Sequence, residues 1–84
     1  MEEREYQILL SKKYAGRVGV TKLVQSAVNP QKAIRLAFEN IGYKVRISRT
    51  HSYSPDPEGD IVARFTGETG FDCFYKVHTM IQLF

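Results

Sequence analysis

The clearest pattern of apolar positions lies in residues 29–42, where it has the period of an α-helix. Its apolar side chains recur at intervals of three and four residues, and they are Ile34, Ala37, Phe38 and Ile41. This spacing places them on one face of a helix. Asn29 is suited to cap the first turn and Pro30 to occupy its first position, while Gly42 can end the helix in a left-handed conformation. The sequence therefore predicts one amphipathic helix.

Alternating apolar and polar positions predict strands on both sides of this helix. Residues 5–10 and 43–50 have a period of two. Residues 18–28, which are rich in valine, threonine and leucine but have mixed faces, and residues 61–66 are also predicted as strands. Small and basic side chains in residues 11–17 indicate a loop that lets the second strand pair back on the first. Proline, glycine and aspartate predict a longer loop over residues 51–60, and Gly-Glu-Thr-Gly at residues 67–70 predicts a turn.

The last segment, residues 71–84, fits both periods. Its odd positions alternate as in a strand, but a helical stripe is also present and consists of Phe71, Phe74, Tyr75, His78 and Ile81. We favour a strand because two strands around the predicted turn make a hairpin. The prediction is an α+β fold in the order ββαβββ. It consists of a small antiparallel sheet of four or five strands with one α-helix packed on one face, all in a single domain of residues 1–84.

Composition narrows the class of protein. The chain has 84 residues, of which 43% are hydrophobic and 25% charged, as in an ordinary globular domain. Cys73 is the single cysteine, so an intrachain disulfide is excluded and a reducing compartment fits. No apolar run approaches the ~20 residues of a membrane-spanning helix. Because the acidic start of the chain is unlike a signal peptide, we expect a cytoplasmic protein that does not enter a membrane.

The net charge of +3 conceals an uneven distribution. Residues 12–49 contain nine lysines and arginines against Glu39 alone, a net charge of +8. Residues 1–11 carry −2 and residues 50–84 carry −3. A block of one sign repels itself unless an anion lies nearby. That anion is either a ligand or the acidic remainder of the same chain.

The basic middle of the chain predicts a surface for nucleic acid or a nucleoprotein complex. Lysine and arginine contact phosphates, and exposed aromatic rings stack on unpaired bases. The expected contacts are Lys12, Lys13, Tyr14, Arg17, Lys32, Arg35, Tyr43, Lys44, Arg46 and Arg49. Lys32 lies in the first helical turn, where free N–H groups can bind an anion. Since no group is suited to reading base edges, we expect weak sequence preference and strong salt dependence.

No combination of residues predicts catalysis, a cofactor or a metal. Cys73 and His78 are five positions apart, so on a strand their side chains point to opposite faces. The alternating Asp56, Glu58 and Asp60 do not have the spacing of a calcium loop. We therefore expect a protein that is not an enzyme and has no cofactor.

A protein partner is the alternative to nucleic acid. The second face of the last segment would carry Phe74, Met80 and Phe84 as a partner surface. Exposed sheet edges would also allow a homodimer. Such a protein would be a regulator or inhibitor, for example a phage-encoded anti-defence protein. The predicted layout is similar in architecture to some small anti-CRISPR proteins, although no sequence motif supports membership of a family.

Overall fold

Five strands and two helices form the part of the chain that the computed structural model describes, which is residues 2–50, 61–65 and 72–83. In chain order they are β1 (Arg4–Leu9), α1 (Lys12–Val18), β2 (Lys22–Ala27), α2 (Pro30–Asn40), β3 (Tyr43–Thr50), β4 (Ile61–Phe65) and β5 (Asp72–Gln82). This content confirms the α+β class and the antiparallel sheet. The predicted loop of residues 51–60, the predicted turn of residues 67–70 and Phe84 lie outside the described residues.

Helix α1 corrects the prediction of a single helix, because its residues were assigned to a loop. It has only seven residues, with Gly16 in its interior and no side-chain cap at Ser11, so its local signals are weak. Tyr14 nevertheless lies in the core with 8% of its surface exposed. Gly19, at φ 85°, then ends the helix in the left-handed conformation. Tertiary packing thus forms α1, and the element order is βαβαβββ.

The sheet curls around α2. Its strands lie in the order β2-β1-β4-β5-β3, so β2 and β3 are its two edges. In a flat sheet of five strands these edges would be about 19 Å apart, because neighbouring strands are separated by about 4.8 Å. A helix with its side chains is about 10–12 Å wide. Since α2 contacts both edge strands more extensively than β1 and β4, the sheet has a concave face that holds α2 and a convex face opposite.

The core fills the concave face. The predicted apolar stripe of α2 is confirmed at Ile34, Ala37 and Phe38, which are buried, whereas Ile41 follows the last helical residue and is 39% exposed. The sheet contributes Tyr6, Ile8, Val45, Ile47, Ile61, Cys73, Tyr75 and Val77. The predicted cap is also present, because Asn29 Oδ1 accepts a hydrogen bond from the Lys32 N–H at 2.8 Å. Local signals and core packing therefore agree for α2.

The last segment is a strand, as we favoured, but its pairing contains an irregularity. β5 pairs with β4 on one side and with β3 on the other. The register between β3 and β5 shifts between the pairs Arg46–Thr79 and Ile47–Val77. His78 consequently has no partner across the ladder and forms a β-bulge.

This bulge reverses which side of β5 faces the core. Before it Val77 is buried, whereas after it Met80 packs against the core and Ile81 is 58% exposed. Strict alternation had placed Met80 on an outward partner surface with Phe74 and Phe84. The position of Met80 is therefore corrected, because one extra residue in a strand exchanges its two faces. Phe74 lies on the convex face and is half-buried.

We expect Phe38→Ala to lower the free energy of unfolding by about 3–5 kcal/mol, because it leaves a cavity where α2 meets the curled sheet. Leu36→Ala is the matched control on the same helix, since Leu36 is 37% exposed. It should cost about 1 kcal/mol or less. Urea unfolding followed by circular dichroism measures both changes, and equal losses would contradict the central position of Phe38.

Candidate nucleic-acid interface

Neither helix covers the convex face of the sheet. α2 packs in the concave face, and Tyr14 anchors α1 in the same core. The carbonyl oxygen of Arg17, in the last turn of α1, lies 3.5 Å from the hydroxyl of Tyr43, whose ring packs against the core. Both helices therefore lie on the concave side, and neither of them blocks access of a ligand to the convex face.

Basic and polar side chains gather on the convex face where β3 and β5 pair. Val45 and Ile47 of β3 are buried, so the alternate positions between and beside them point outward. Lys76 of β5 lies directly opposite Ser48, and His78 follows at the bulge. We call this group the β3–β5 basic strip, and its members are Lys44, Arg46, Ser48, Lys76 and His78. All five residues are exposed.

The bulge brings His78 into contact with β3. Its Nε2 lies 2.6 Å from Oγ of Ser48, which is a hydrogen-bonding distance. Without the extra residue in β5, His78 would lie on the same face of the sheet but directly opposite Arg46 in the ladder. A bulge commonly re-aims a side chain in this way. The pair lies between Arg46 along β3 and Lys76 along β5.

The positive charges of the strip have no negative counterpart in the described segments. Lys44, Arg46 and Lys76 form no ion pair with any described residue. Elsewhere on the convex face, by contrast, Arg64 Nε lies 2.7 Å from the Asp72 carboxylate. Uncompensated cations on an uncovered face produce a positive potential that attracts anions. The strip is therefore the electrostatically distinct part of this face.

The structure divides the ten sequence-predicted contacts among separate surfaces. Lys44 and Arg46 lie in the strip. Arg17 lies next to Tyr43, the residue that precedes Lys44, so the end of α1 approaches the start of the strip. Lys12 and Lys13 are exposed on the same helix. The side chains of α1 thus belong to the concave side of the molecule, whereas the strip lies on the convex face.

The two tyrosines among the predicted contacts are not free stacking groups. Tyr14 is buried in the core, and the Lys13 ammonium lies 5.8 Å from its ring centroid. Tyr43 is half-buried and packs against the core at the end of the concave face. The stacking role predicted for Tyr14 is thus corrected, because a buried ring cannot accept a base.

The start of α2 has fewer free N–H groups than an anion site near Lys32 would use. The Lys32 N–H is bound by Asn29 Oδ1 at 2.8 Å, and Pro30 has no N–H. Of the four N–H positions that a helix start leaves open, those of Asn29 and Gln31 are then left for an external acceptor. The anion site near Lys32 stays a prediction.

Arg35 and Arg49 also lie away from the convex face. Arg35 is exposed on α2, across the sheet from the strip. Arg49 is opposite buried Tyr75 in the ladder, on the concave side. Burial raises the pKa of the Tyr75 hydroxyl, and the positive charge of Arg49 partly opposes this effect. The basic block of the sequence is therefore not one continuous surface.

Cys73 and His78 lie on opposite faces of β5, as predicted. Cys73 is 2% exposed, and burial raises the pKa of its thiol; Arg49 lowers it and Asp72 raises it to smaller extents. The thiol is therefore held in its protonated form, which is a poor nucleophile. Within the described segments, no three His, Cys, Asp or Glu side chains are close enough to hold a metal ion.

Comparison of this chain with protein-family models, with curated proteins and with solved structures gives no match. In the described part of the chain, neither helix has the length and apolar character needed to cross a membrane. Any proposal about function must therefore be based on the geometry and charge of the strip.

Sequence reasoning missed three members of the strip: Ser48, Lys76 and His78. Alternation does place Lys76 and His78 on one side of β5. It does not reveal that β5 pairs with β3, because this pairing joins segments about 30 residues apart. The available signal for Lys76 and His78 was that alternation places both on the face of β5 opposite to Cys73.

We expect the Cys73 thiol to react with Ellman's reagent at pH 8 at least about tenfold more slowly in the folded protein than in urea, because burial limits access and a raised pKa lowers the thiolate fraction. An ordinary thiol, with a pKa of about 8.5, is substantially ionised at this pH. Cys73 is the single cysteine, so the absorbance reports it alone. Equal rates in both states would contradict its burial.

Proposed function

We propose that the protein binds nucleic acid through the β3–β5 basic strip, without marked preference for base sequence. The observation that carries the proposal is the set of three exposed cations, Lys44, Arg46 and Lys76, that face away from the core and have no ion-pair partner among the described residues. Cations of this kind supply the phosphate contacts that dominate affinity for nucleic acid. The convex face that carries them is covered by neither helix.

The strip suits the phosphate backbone better than it suits base edges. Its long basic side chains can follow a charged strand along the pair of β-strands, while Ser48 and His78 add hydrogen-bonding groups between them. Nothing in this arrangement has the bidentate pairing with a base that direct readout requires. Binding should therefore depend on charge and shape.

Salt dependence gives the proposal a quantitative form. Three phosphate contacts correspond to a slope of about −2 to −3 in a plot of log affinity against log salt concentration. The affinity should then fall by about 16- to 64-fold between 50 and 200 mM salt. Fluorescence anisotropy of labelled single- and double-stranded oligonucleotides measures this dependence, and dissociation constants of about 1–100 μM are expected near physiological salt.

We expect Lys44→Glu/Arg46→Glu to weaken binding by at least about tenfold and to reduce the salt slope by about 2, because two phosphate contacts are lost. The matched control is Lys32→Glu/Arg35→Glu on α2. Both double variants change the net charge from +3 to −1, so a difference between them reports the location of the site. The control should retain an affinity within about threefold of the unaltered protein.

Two results would count against this proposal. Equal weakening by both double variants would show that net charge rather than the strip controls binding. Failure of the unaltered protein to bind either oligonucleotide at low salt would overturn the proposal altogether. Circular dichroism confirms that each variant folds, which is expected because all four side chains are exposed.

A protein partner is the second candidate, and one observation favours it. Beyond the bulge, Ile81 and Leu83 are 58% and 49% exposed, and the Leu83 N–H bonds to the Gly42 carbonyl beside exposed Ile41. Such a group of apolar side chains is suited to contact with another protein. It adjoins the strip at Lys44, which is opposite Ile81. A regulator that engages a nucleoprotein complex would use both surfaces.

A further inference from the structure

We propose that the Ser48–His78 pair at the β-bulge is the phosphate-binding centre of the strip, and that binding of a phosphodiester there is coupled to protonation of His78. This inference depends on the proposed function, because the phosphodiester belongs to the bound nucleic acid. It goes beyond that function by naming the atoms that hold the phosphate and by making affinity depend on pH.

The geometry concentrates four phosphate-binding groups at one point. Ser48 Oγ and His78 Nε2 are 2.6 Å apart, and Lys76 is directly opposite Ser48 across the ladder. Arg46 is two positions earlier on β3, so its Cα is about 7 Å from that of Ser48. All four side chains point away from the core on the face that neither helix covers. No other described part of the convex face combines cations, a hydroxyl and an imidazole.

The hydrogen bond between Ser48 and His78 has two directions. A neutral imidazole allows either one according to its tautomer, whereas a protonated imidazole allows only donation by Nε2–H. When Nε2 of a neutral imidazole is the acceptor, the Ser48 hydroxyl donates its proton to it. When the imidazole is protonated, Nε2–H donates to Ser48 Oγ instead. The hydroxyl proton of Ser48 is then released for an external acceptor. A single proton thus adds both a positive charge and a hydrogen-bond donor to the strip.

The surroundings of His78 determine the sign of the coupling. Lys44, Arg46 and Ser48 face it from β3, and Lys76 shares its own strand and face. The convex-face carboxylate on β5, that of Asp72, is six residues away and pairs with Arg64. A phosphate held among these groups favours a positive charge on the imidazole. By linkage, protonation must favour the phosphate equally.

The test is the affinity for a labelled single-stranded oligonucleotide between pH 8 and pH 5.5 at constant ionic strength. Histidine changes its charge in this range, whereas ordinary carboxylates and lysines do not. We expect the affinity of the unaltered protein to rise at least about fivefold as the pH falls, and by no more than tenfold per pH unit for one proton. In His78→Gln, the rise in affinity with falling pH should disappear.

Two further variants test whether the pH dependence arises from His78 and from reversal of its hydrogen bond with Ser48. The chain has two histidines, so His51→Gln is the matched control and should keep the rise in affinity. Ser48→Ala should weaken binding more at pH 5.5 than at pH 8, by about fivefold, the value of one hydrogen bond. Equal weakening at both pH values would contradict the reversal of the hydrogen bond.

Failure of this inference is distinguishable from failure of the proposed function. Two results would overturn the phosphate centre while the strip stands, provided that the oligonucleotide binds through Lys44 and Arg46. One is an affinity that does not change with pH, and the other is a pH-dependent affinity that persists in His78→Gln. If the unaltered protein does not bind at any pH in this range, the proposed function is overturned and the phosphate centre with it.

Discussion

The contact of α2 with both edges of the sheet is the constraint from which the rest of the structure follows. Because β2 and β3 are the outermost strands, a single helix can contact both only if the sheet curls. Ile34 and Phe38 then become the centre of the core. A side-chain hydrogen bond of 2.9 Å from Asn40 to Gln25 joins the helix to β2 at its far end. Most of the buried apolar side chains therefore lie on the concave face, and the β3–β5 basic strip lies on the convex face.

The β-bulge at His78 has two consequences that explain the character of the convex face. It exchanges the faces of β5, so Met80 enters the core and Ile81 becomes exposed. It also brings an imidazole to Ser48 between two cations. One inserted residue therefore produces both the polar centre of the strip and the apolar group beside it. Bulges are frequent at binding sites for this reason.

Much of the fold could be predicted from the sequence, because its strongest elements carry their own local signals. α2 has a cap, a proline at its first position and an apolar stripe, and all three are present in the structure. β3 has the predicted bounds, and the period of two in β5 was sufficient to identify a strand. α1 could not be predicted in this way. It has an interior glycine, and its formation depends on burying Tyr14 in a core that forms from distant segments.

The candidate site was predictable only in part, for a related reason. Lys44 and Arg46 alternate with buried residues, so their outward direction follows from β3 alone. Lys76 and His78 join them through a strand pairing and a bulge that no local pattern encodes. Conversely, the charge pattern suggested Lys32, Arg35 and Arg49 as contacts, but the fold places these residues on other surfaces. The charge count suggested a polyanionic ligand, and the strand order shows which of the basic residues share a face.

The central claim is that nucleic acid contacts the convex face of β3 and β5 and not the side of the molecule that carries α2. Mapping of backbone amide chemical shifts during titration with an unlabelled single-stranded oligonucleotide tests this directly. The account predicts that the largest changes occur at residues 44–48 and 76–79, while the amides of α2 change little. The largest changes at residues 30–40, with the two strands unaffected, would contradict it.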